Sequence, residues 1–372
     1  MREILRWLYD LAARFLRTLD LPLCVLLFAL MAIGLVVLYS AGSPNNGGRL
    51  VMAQAARFGV GLAALWLASR ISTVRLRPWA PLAYALSLLP LVAVLLVGTG
   101  RHGQHWLDLK LFYLQPAELL KVSLPMILAW YLHSAPLPPR PRTVLMALAI
   151  VAVPTGLILL QPDFGTAVLI ATSGMFALLL AGLPWWWVGV AVGGAAAAAP
   201  VAWIWLLRPY QKDRIMTFLD PETDPLGAGW NIIQSKIAVG SGGLTGKGWG
   251  AGSQSHLNFI PEQTTDFVFA VLSEEFGWVG VMVVLTLYLL LVARCLWIAV
   301  EARDTFSRLL AGSLGLTFFV YVAVNGGMIS GLLPVVGVPM PLLSYGGTSA
   351  VSLLAGLGLV MAVKAHRPVH GY

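Results

Sequence analysis

Five acidic residues and one lysine stand out within or at the ends of otherwise apolar stretches of this 372-residue chain. An ionisable side chain in apolar surroundings is expensive, and such residues usually bind ions or substrate or transfer protons. We therefore expect the chemistry of the protein to depend on a small set of side chains: Glu118, Lys121, Asp163, Asp266, Glu274 and Glu275.

Asp266 is the strongest candidate for a catalytic base. It follows two threonines and opens the apolar stretch DFVFAVLSEEFGWVG, where a helix would meet water. Aspartate is a favoured helix N-cap, so a purely structural role stays open. However, a carboxylate beside Phe267 and Phe269, with Glu262 four residues earlier, can have its proton affinity tuned for base chemistry.

Glu118 and Lys121 are three residues apart in QPAELLKV, so they share one face of a helix and can pair. Such a pair could simply neutralise itself and order helix packing. A partly paired lysine near the membrane surface could equally hold a lipid phosphate. Both interpretations stay open at this point.

Asp163 stands in LQPDFGTA, where proline and glycine break the helix. It could cap the next helix or position a cation or substrate. Glu274 and Glu275 follow Asp266 by eight and nine residues, ~12–13 Å further along a helix. We expect them to join an internal polar network with Lys121 or with a neighbouring helix.

The composition places these residues in a membrane protein. Only 11% of the residues are charged and 58% are hydrophobic, with a mean hydropathy of +0.81. A soluble domain carries ~25% charge, so an ordinary cytosolic enzyme, a disordered chain and a secreted disulfide scaffold are excluded. Cys24 and Cys295 lie in long apolar runs and are interpreted as small core residues. The net charge of +8 is attributed to topology rather than to nucleic-acid binding.

Ten apolar runs are long enough to cross a bilayer as helices. If the N-terminus is cytoplasmic, 14 of the 24 basic residues fall in cytoplasmic segments and three in short outer loops. The ten runs predict an all-α polytopic membrane protein of about ten transmembrane helices. The asymmetry of the basic residues predicts that both termini lie in the cytoplasm. The runs lie at about 21–41, 51–69, 79–98, 115–134, 143–160, 166–183, 185–207, 267–293, 308–330 and 345–363.

The chain divides around these runs. A glycine-rich stretch in the longest polar segment, SGGLTGKGWGAGSQ, lacks the first glycine and the final hydroxyl residue of a nucleotide-binding P-loop. The predicted segments are an interfacial amphipathic helix at 1–20, helices 1–7 at 21–207, an extracytoplasmic loop at 208–265 with a short amphipathic helix at 230–239, helices 8–10 at 266–364, and a cytoplasmic tail at 365–372.

Five ordered motifs carry a resemblance to a known family. They are WLDLKLFYLQPAELLKV, LQPDFGTA, RIMTFLDPETDPLGAGWNIIQSKIAVGSGGLTGKGW, FIPEQTTDFVFAVLSEEFG and NGGMISGLLPVVGVPMPLLSYGGTS. On these motifs the chain resembles the SEDS family (RodA, FtsW, SpoVE) over nearly its whole length, and it is most similar to the RodA branch. That family consists of bacterial peptidoglycan glycosyltransferases with ten spans.

The resemblance implies polymerisation of lipid II into glycan strands during cell-wall elongation and cell-shape maintenance. The reaction would occur at the extracytoplasmic side of the cytoplasmic (inner) membrane. Asp266 matches the essential aspartate of the family, and Glu118, Lys121 and Asp163 match polar positions that line its central cavity. We expect Asp266 to act as the general base of one inverting displacement.

The resemblance also implies groups that stabilise the diphosphate leaving group. The sequence leaves open whether a divalent cation, Mg²⁺ or Mn²⁺, bridges the diphosphate and Asp266 or Asp163. Expected partners are lipid II, a class B penicillin-binding protein and other membrane proteins of the elongation complex. The basic residues expected at the outer face are Arg208, Lys212, Arg214, Lys236 and Lys247.

Two other functions remain alternatives. A lipid II flippase or other transporter would also need a polar cavity among the spans. A non-catalytic scaffold of the wall-synthesis complex would not need Asp266.

Overall fold

The structure is a computed structural model that describes residues 18–42, 46–99, 105–108, 110, 113–207, 209–223, 228–256 and 262–366. Nearly all of the predicted interfacial helix at 1–20 and of the tail at 365–372 lies outside these residues. Within the described part, eight helices are long and apolar enough to cross a membrane, and two further helices have 17 residues each. The predicted all-α polytopic architecture is confirmed.

The membrane helices follow one another through the chain as predicted, with shifts of a few residues at their ends. The long helices are α1 Leu21–Ala41, α2 Gly47–Ser69, α3 Thr73–Val97, α5 Pro141–Leu160, α7 Trp185–Val201, α11 Val268–Val300, α12 Thr305–Ile329 and α13 Thr348–Ala365. The shorter ones are α4 Ala117–His133 and α6 Phe164–Leu180. A π-helical turn, Ala202–Leu206, extends α7.

Short elements occupy the polar segments. A two-stranded antiparallel sheet pairs β1, Leu107–Asp108, with β2, Tyr113–Leu114. The helix predicted at 230–239 falls within α9, Ala228–Ser241. Two helices of this region were not predicted from the sequence: α8, Pro209–Leu219, and α10, Ser253–His256.

Helices α4, α12 and α13 form the centre of the bundle, whereas α7 buries none of its described side chains. Lipid offers no hydrophobic gain for helix association, so close packing through small residues is needed. Helices α2 and α13 show this packing. A Cβ on Gly358 would lie 2.3 Å from the Leu65 carbonyl oxygen, and one on Gly61 would lie 2.5 Å from Leu354.

Helix α11 is broken at Gly277, where φ is 62° and ψ is −162°. The break frees backbone groups inside the membrane, where unsatisfied groups are costly. The glycine-rich segment 242–248 satisfies them with its own backbone, so it is a structural part of α11. The bonds run from the N–H of Lys247 to Glu274 O (3.0 Å), Gly248 to Glu275 O (3.0 Å), Trp278 to Gly243 O (2.9 Å) and Val279 to Leu244 O (3.0 Å).

The segment that joins α12 to α13, residues 330–347, enters the bundle without forming a helix; we call it the α12–α13 connection. A Cβ on Gly34 of α1 would lie 2.5 Å from Leu342 O, and Gly34 is seven residues, ~10 Å, from the end of α1. The side chain of Gln54 donates to Ser344 O and accepts from the N–H of Gly346, each at 3.3 Å. Irregular backbone at this depth is therefore covered by protein, as the bilayer requires.

The two ends of the bundle differ in character. We call the end that carries the described residues between α7 and α11 the upper end and the opposite end the lower end. At the lower end, Asp20 caps α1 and pairs with Arg294 of α11 (2.8 and 3.1 Å) and with Lys364 of α13. Burial alone would raise the pKa of Asp20, but hydrogen bonds from the two cations lower it to about 2.

Candidate active site

Polar residues from four separate parts of the chain gather around the α12–α13 connection and the first turns of α13 at the upper end. They come from the middle of α2, the start of α4, the start of α6 and the turn before α11. The connection contacts α2, the start of α6 and the turn before α11 because it lies within the bundle, and the start of α13 contacts α4.

Asp266 lies in a turn just before α11, which begins at Val268 rather than at Asp266 as the sequence suggested. No side chain caps that helix, so the capping role is not realised. A Cβ on Gly337 of the connection would lie 3.6 Å from Asp266 Oδ2. Among the described residues the carboxylate has neither a hydrogen bond nor an ion pair. Burial, and secondarily the carboxylate of Glu262, raise the pKa of Asp266 from 3.8 to about 6.

Backbone bonds hold the Asp266 turn in place. Asn325 of α12, which is fully buried, donates from Nδ2 to the Asp266 carbonyl at 2.8 Å and to the Val338 carbonyl at 2.6 Å. The N–H of Tyr345 donates to Thr264 O at 2.8 Å. The turn is therefore fixed to α12 and to the connection while its carboxylate remains available.

Glu118 and Lys121 pair at 2.6 Å, with side chains that are 8% and 3% exposed. The pairing predicted from their spacing is confirmed, and a role in substrate binding stays a prediction. The first turns of α13 hold both groups, since Ser352 Oγ donates to Glu118 Oε2 at 2.8 Å and Lys121 Nζ donates to Ser349 Oγ at 2.9 Å. Lys121 Nζ also lies 4.1 Å from the centre of the Tyr321 ring.

Asp163 caps α6, because its Oδ1 accepts from the N–H of Thr166 at 3.0 Å. The next turn packs on the connection: a Cβ on Gly165 would lie 2.6 Å from Val336 O. Asp163 is therefore the N-cap of α6, and a role in positioning a cation or substrate stays a prediction.

Arg57 is a further charged residue of the site, and it is not among the site residues predicted from the sequence. It lies in the middle of α2, with its Cζ 4.0 Å above the ring of Tyr345. Its Nε would lie 3.5 Å from a Cβ on Gly347. An arginine within an apolar run was a usable signal, but only the fold could supply its surroundings.

The predicted outer cations have different surroundings. Lys247 pairs with Glu274 at 2.7 Å, so its charge is already balanced within the protein. Lys212 lies 5.9 Å from the Trp203 ring. Lys236 packs against Gly331 of the connection. Arg208 and the side chain of Arg214 lie outside the described residues.

Glu274 and Glu275 form buried networks, although their partners differ from part of the prediction. Lys247 of the glycine-rich segment, rather than Lys121, pairs with Glu274. Glu275 accepts a hydrogen bond from Ser40 of the neighbouring helix α1. Among the described residues there is no group of three or more histidine, cysteine, aspartate or glutamate side chains that could hold a metal ion.

Comparisons with known proteins give a consistent result. The sequence profile of the FtsW/RodA/SpoVE family, described as cell cycle proteins, matches residues 20–368. Peptidoglycan glycosyltransferase MrdB of Escherichia coli (strain K12) is 46% identical over 350 residues, which cover 94% of this chain and 94% of MrdB. Peptidoglycan glycosyltransferase RodA of Treponema pallidum (strain Nichols) is 32% identical and covers 94% of this chain and 98% of its own.

Two solved structures share the architecture. A chain of a peptidoglycan synthase complex, studied for the structural coordination of polymerization and crosslinking, superposes with a TM-score of 0.82 at 34% identity. The match covers 94% of this chain and 99% of that chain. The rod shape determining protein RodA of Thermus thermophilus superposes with a TM-score of 0.72 at 31% identity, covering 94% and 98% of the two chains.

Proposed function

The chain belongs to the FtsW/RodA/SpoVE family, and we propose that it polymerises lipid II with Asp266 as the general base. It is a peptidoglycan glycosyltransferase, as its relatives from E. coli and T. pallidum are named. The observation that carries the choice of base is the Asp266 carboxylate. It is partly buried, it is free of partners among the described residues, and it adjoins the connection that also contacts Arg57 and the start of α6.

The proposed step is a single displacement at the donor sugar. The Asp266 carboxylate takes the proton of the acceptor 4-hydroxyl as that oxygen forms a bond to the donor anomeric carbon. The bond from that carbon to the diphosphate oxygen breaks, and its electron pair leaves with undecaprenyl diphosphate. Configuration at the carbon is inverted, from an α-linked donor to a β-linkage. A hydroxyl is a poor nucleophile near neutral pH, so a base within hydrogen-bond reach is needed.

Positive charge in the cavity stabilises the departing diphosphate. Lys121 is the buried lysine of the site, and its Glu118 partner holds it in place at 2.6 Å. Lys212, Lys236 and the arginines at 208 and 214 would add charge from the upper end, as proposed from the sequence. Preorganised charge at the place where negative charge develops is usually the largest catalytic contribution.

A divalent cation fits this site only in association with substrate. The described residues supply no cluster of three or more metal-binding side chains. Mg²⁺ is often bound through one or two carboxylates plus substrate phosphates. We propose that Asp266 or Asp163, whose Oδ1 is already engaged in capping α6, would contribute to Mg²⁺ or Mn²⁺ binding in this manner.

The distribution of basic residues supports an extracytoplasmic location of the site. The chain is a multi-pass membrane protein, and we place the upper end at the extracytoplasmic side of the cytoplasmic membrane. Most of the arginines and lysines counted as cytoplasmic flank the lower ends of the helices. The bilayer then confines both lipid substrates beside Asp266, which lowers the entropic cost of bringing them together.

A crosslinking partner is part of this proposal. The matched synthase complex is described as coordinating polymerization and crosslinking. We propose that this chain likewise works with a class B penicillin-binding protein, within a larger elongation complex. That assignment rests on the similarity to the solved chain at a TM-score of 0.82.

The test uses the purified full-length chain in proteoliposomes with fluorescent lipid II and its transpeptidase partner. We expect Asp266→Asn to lower glycan formation by at least ~100-fold, the lower range for loss of a positioned base. Asp213→Asn, an exposed acid of α8, is the matched control and should leave the rate unchanged. Unchanged polymerisation by folded Asp266→Asn would rule out this base. Lipid II movement without polymer would favour the flippase alternative. Polymer formation that is the same with and without this chain would favour the scaffold alternative.

A further inference from the structure

Arg57 presents a charge that the described protein does not balance. It lies ten residues from the start of the 23-residue helix α2, ~15 Å along its axis. Its Nη1 is buried and has no hydrogen-bond partner, and none of the ion pairs among the described residues includes it. Its contact with the Tyr345 ring, at 4.0 Å, does not neutralise the guanidinium. An intramembrane arginine is expensive, so it calls for an anionic partner.

Arg57 and a second cation, Lys121, both contact the start of helix α13. Gly347 is the N-cap of α13, and no side chain caps this 18-residue helix. The Arg57 guanidinium lies against Gly347, and Lys121 donates to Ser349 in the first turn of the same helix. Free N–H groups at a helix N-terminus favour anions, and adjacent cations strengthen that preference. Glu118 pairs with Lys121, whereas none of the ion pairs among the described residues includes Arg57, so the positive charge of Arg57 is not balanced there.

The chemistry of this group selects a phosphate-bearing ligand. A guanidinium binds phosphate oxygens through two parallel hydrogen bonds, whereas a lysine acts as a point charge. Two cations and a helix end together suit a diphosphate better than a single carboxylate. Because α2 is a membrane helix, a ligand that carries an apolar chain could reach the group from the bilayer. Tyr345 connects the group to the Asp266 turn through its bond to Thr264 O, 2.8 Å long.

We propose that Arg57, with Lys121 and the first turn of α13, binds the diphosphate of a polyprenyl diphosphate lipid. The proposal rests on the proposed function, in which such a lipid is the leaving group. Arg57 would hold the phosphates on one side of the connection while Asp266 faces the acceptor hydroxyl on the other. Arg57 is then a substrate-binding residue that acts before and during bond cleavage.

Binding without turnover tests this assignment. The full-length chain in nanodiscs is titrated with undecaprenyl diphosphate, undecaprenyl monophosphate, uncharged undecaprenol and inorganic pyrophosphate. We expect Arg57→Gln to weaken binding of undecaprenyl diphosphate by at least ~10-fold, the range for a lost hydrogen bond to a charged group. Arg49→Gln, an exposed arginine two turns earlier on α2, is the matched control and should change affinity by less than ~2-fold. Arg57→Lys should recover part of the loss.

The other ligands identify the source of the phosphate. Arg57→Gln should weaken the monophosphate less than the diphosphate and should leave undecaprenol unchanged. Inorganic pyrophosphate should bind far more weakly than the lipid, because it lacks the chain. If Arg57→Gln affects only pyrophosphate, the site belongs to a free phosphate compound and the lipid assignment is wrong. Unchanged affinity of folded Arg57→Gln for the lipid diphosphate would overturn the proposal.

A structural role for Arg57 makes a different prediction. Removing a guanidinium that lacks an ionic partner should shift Tm by no more than a few degrees. A large fall in Tm, together with lost binding of uncharged undecaprenol, would indicate that Arg57 merely supports the fold. Because these titrations need no reaction, they are independent of Asp266. Asp266→Asn can abolish polymerisation and retain diphosphate binding, so failure of either proposal is recognised separately.

Discussion

Substitution of Glu262 by glutamine should change the pH dependence of glycan formation in a defined direction. A general base must be deprotonated, so activity should fall as the pH decreases through the pKa of Asp266. That pKa is raised to about 6, with burial as the larger cause and the carboxylate of Glu262 as the smaller. Glu262→Gln removes the second cause and leaves the first. The acidic limb of the rate profile should therefore move to lower pH.

The shift in the acidic limb has an upper limit, because Glu262 is the smaller of the two causes that raise the pKa of Asp266. The total rise is from 3.8 to about 6, and Glu262 contributes less than half of it. The midpoint should consequently move from about pH 6 to a value no lower than about pH 5. At pH 5 the wild-type rate should be ~10% of its plateau, and Glu262→Gln should be several-fold faster. At pH 7.5 the two rates should be equal.

Initial rates of polymer formation from labelled lipid II, measured from pH 4.5 to 8, provide the assay. Because Glu262 is exposed, salt should screen its effect, so the difference between the two profiles should shrink at high ionic strength. Asp213→Asn serves again as the charge control, with an unchanged profile. A wild-type profile that is flat between pH 5 and 7, or a Glu262→Gln limb that stays in place or moves upward, would refute the reasoning.

Three further substitutions test the framework around the site, each read as Tm of the full-length protein. Asp20→Asn should lower the free energy of unfolding by about 2 kcal/mol near neutral pH, because the fold lowers the pKa of Asp20 from 3.8 to about 2. This stabilisation is present above pH 4 and should vanish as the pH falls to 2. Lys247→Met should be strongly destabilising, since it leaves the buried Glu274 carboxylate without its ionic partner. Adding Glu274→Gln to Lys247→Met should restore much of the lost stability, and additive effects of the two substitutions would contradict the pairing. Gly277 has a positive φ, and a Cβ there would lie 2.3 Å from the backbone nitrogen of Gly246, so Gly277→Ala should displace the glycine-rich segment. Gly156 on α5 has open space around it, so Gly156→Ala should be tolerated.

Local patterns were sufficient for part of this structure. Apolar runs of about 20 residues determine where the membrane helices lie, because bilayer thickness fixes the length required. Spacing of three residues placed Glu118 and Lys121 on one helix face. The proline just before Asp163 and the glycine two residues after it marked the helix cap. Each of these inferences depends on neighbours within one or two helical turns.

The remainder depended on contacts between distant parts of the chain. Nothing near Lys247 in the sequence shows that Glu274, 27 residues later, will balance its charge. The glycine-rich segment reads as a surface loop, but its backbone completes a broken helix inside the bundle. Arg57 could be noticed as an arginine in an apolar run, yet its position beside Gly347 follows only from the packing of α2 on α13.

The reactivity of Asp266 follows from how the fold holds its turn. Asn325 and Tyr345 bind backbone carbonyls of the turn, and none of these bonds uses the Asp266 carboxylate. The folded state therefore tolerates a carboxylate whose pKa is about 6 rather than 3.8. The charged form is disfavoured in the fold, so this destabilisation is complete above pH 6 and absent below pH 3.8, and it amounts to at most about 3 kcal/mol. Asp266→Asn should accordingly raise Tm at pH 7.5 but not at pH 4 while it abolishes polymerisation. A Tm that falls equally at both pH values would show that the carboxylate supports the fold instead.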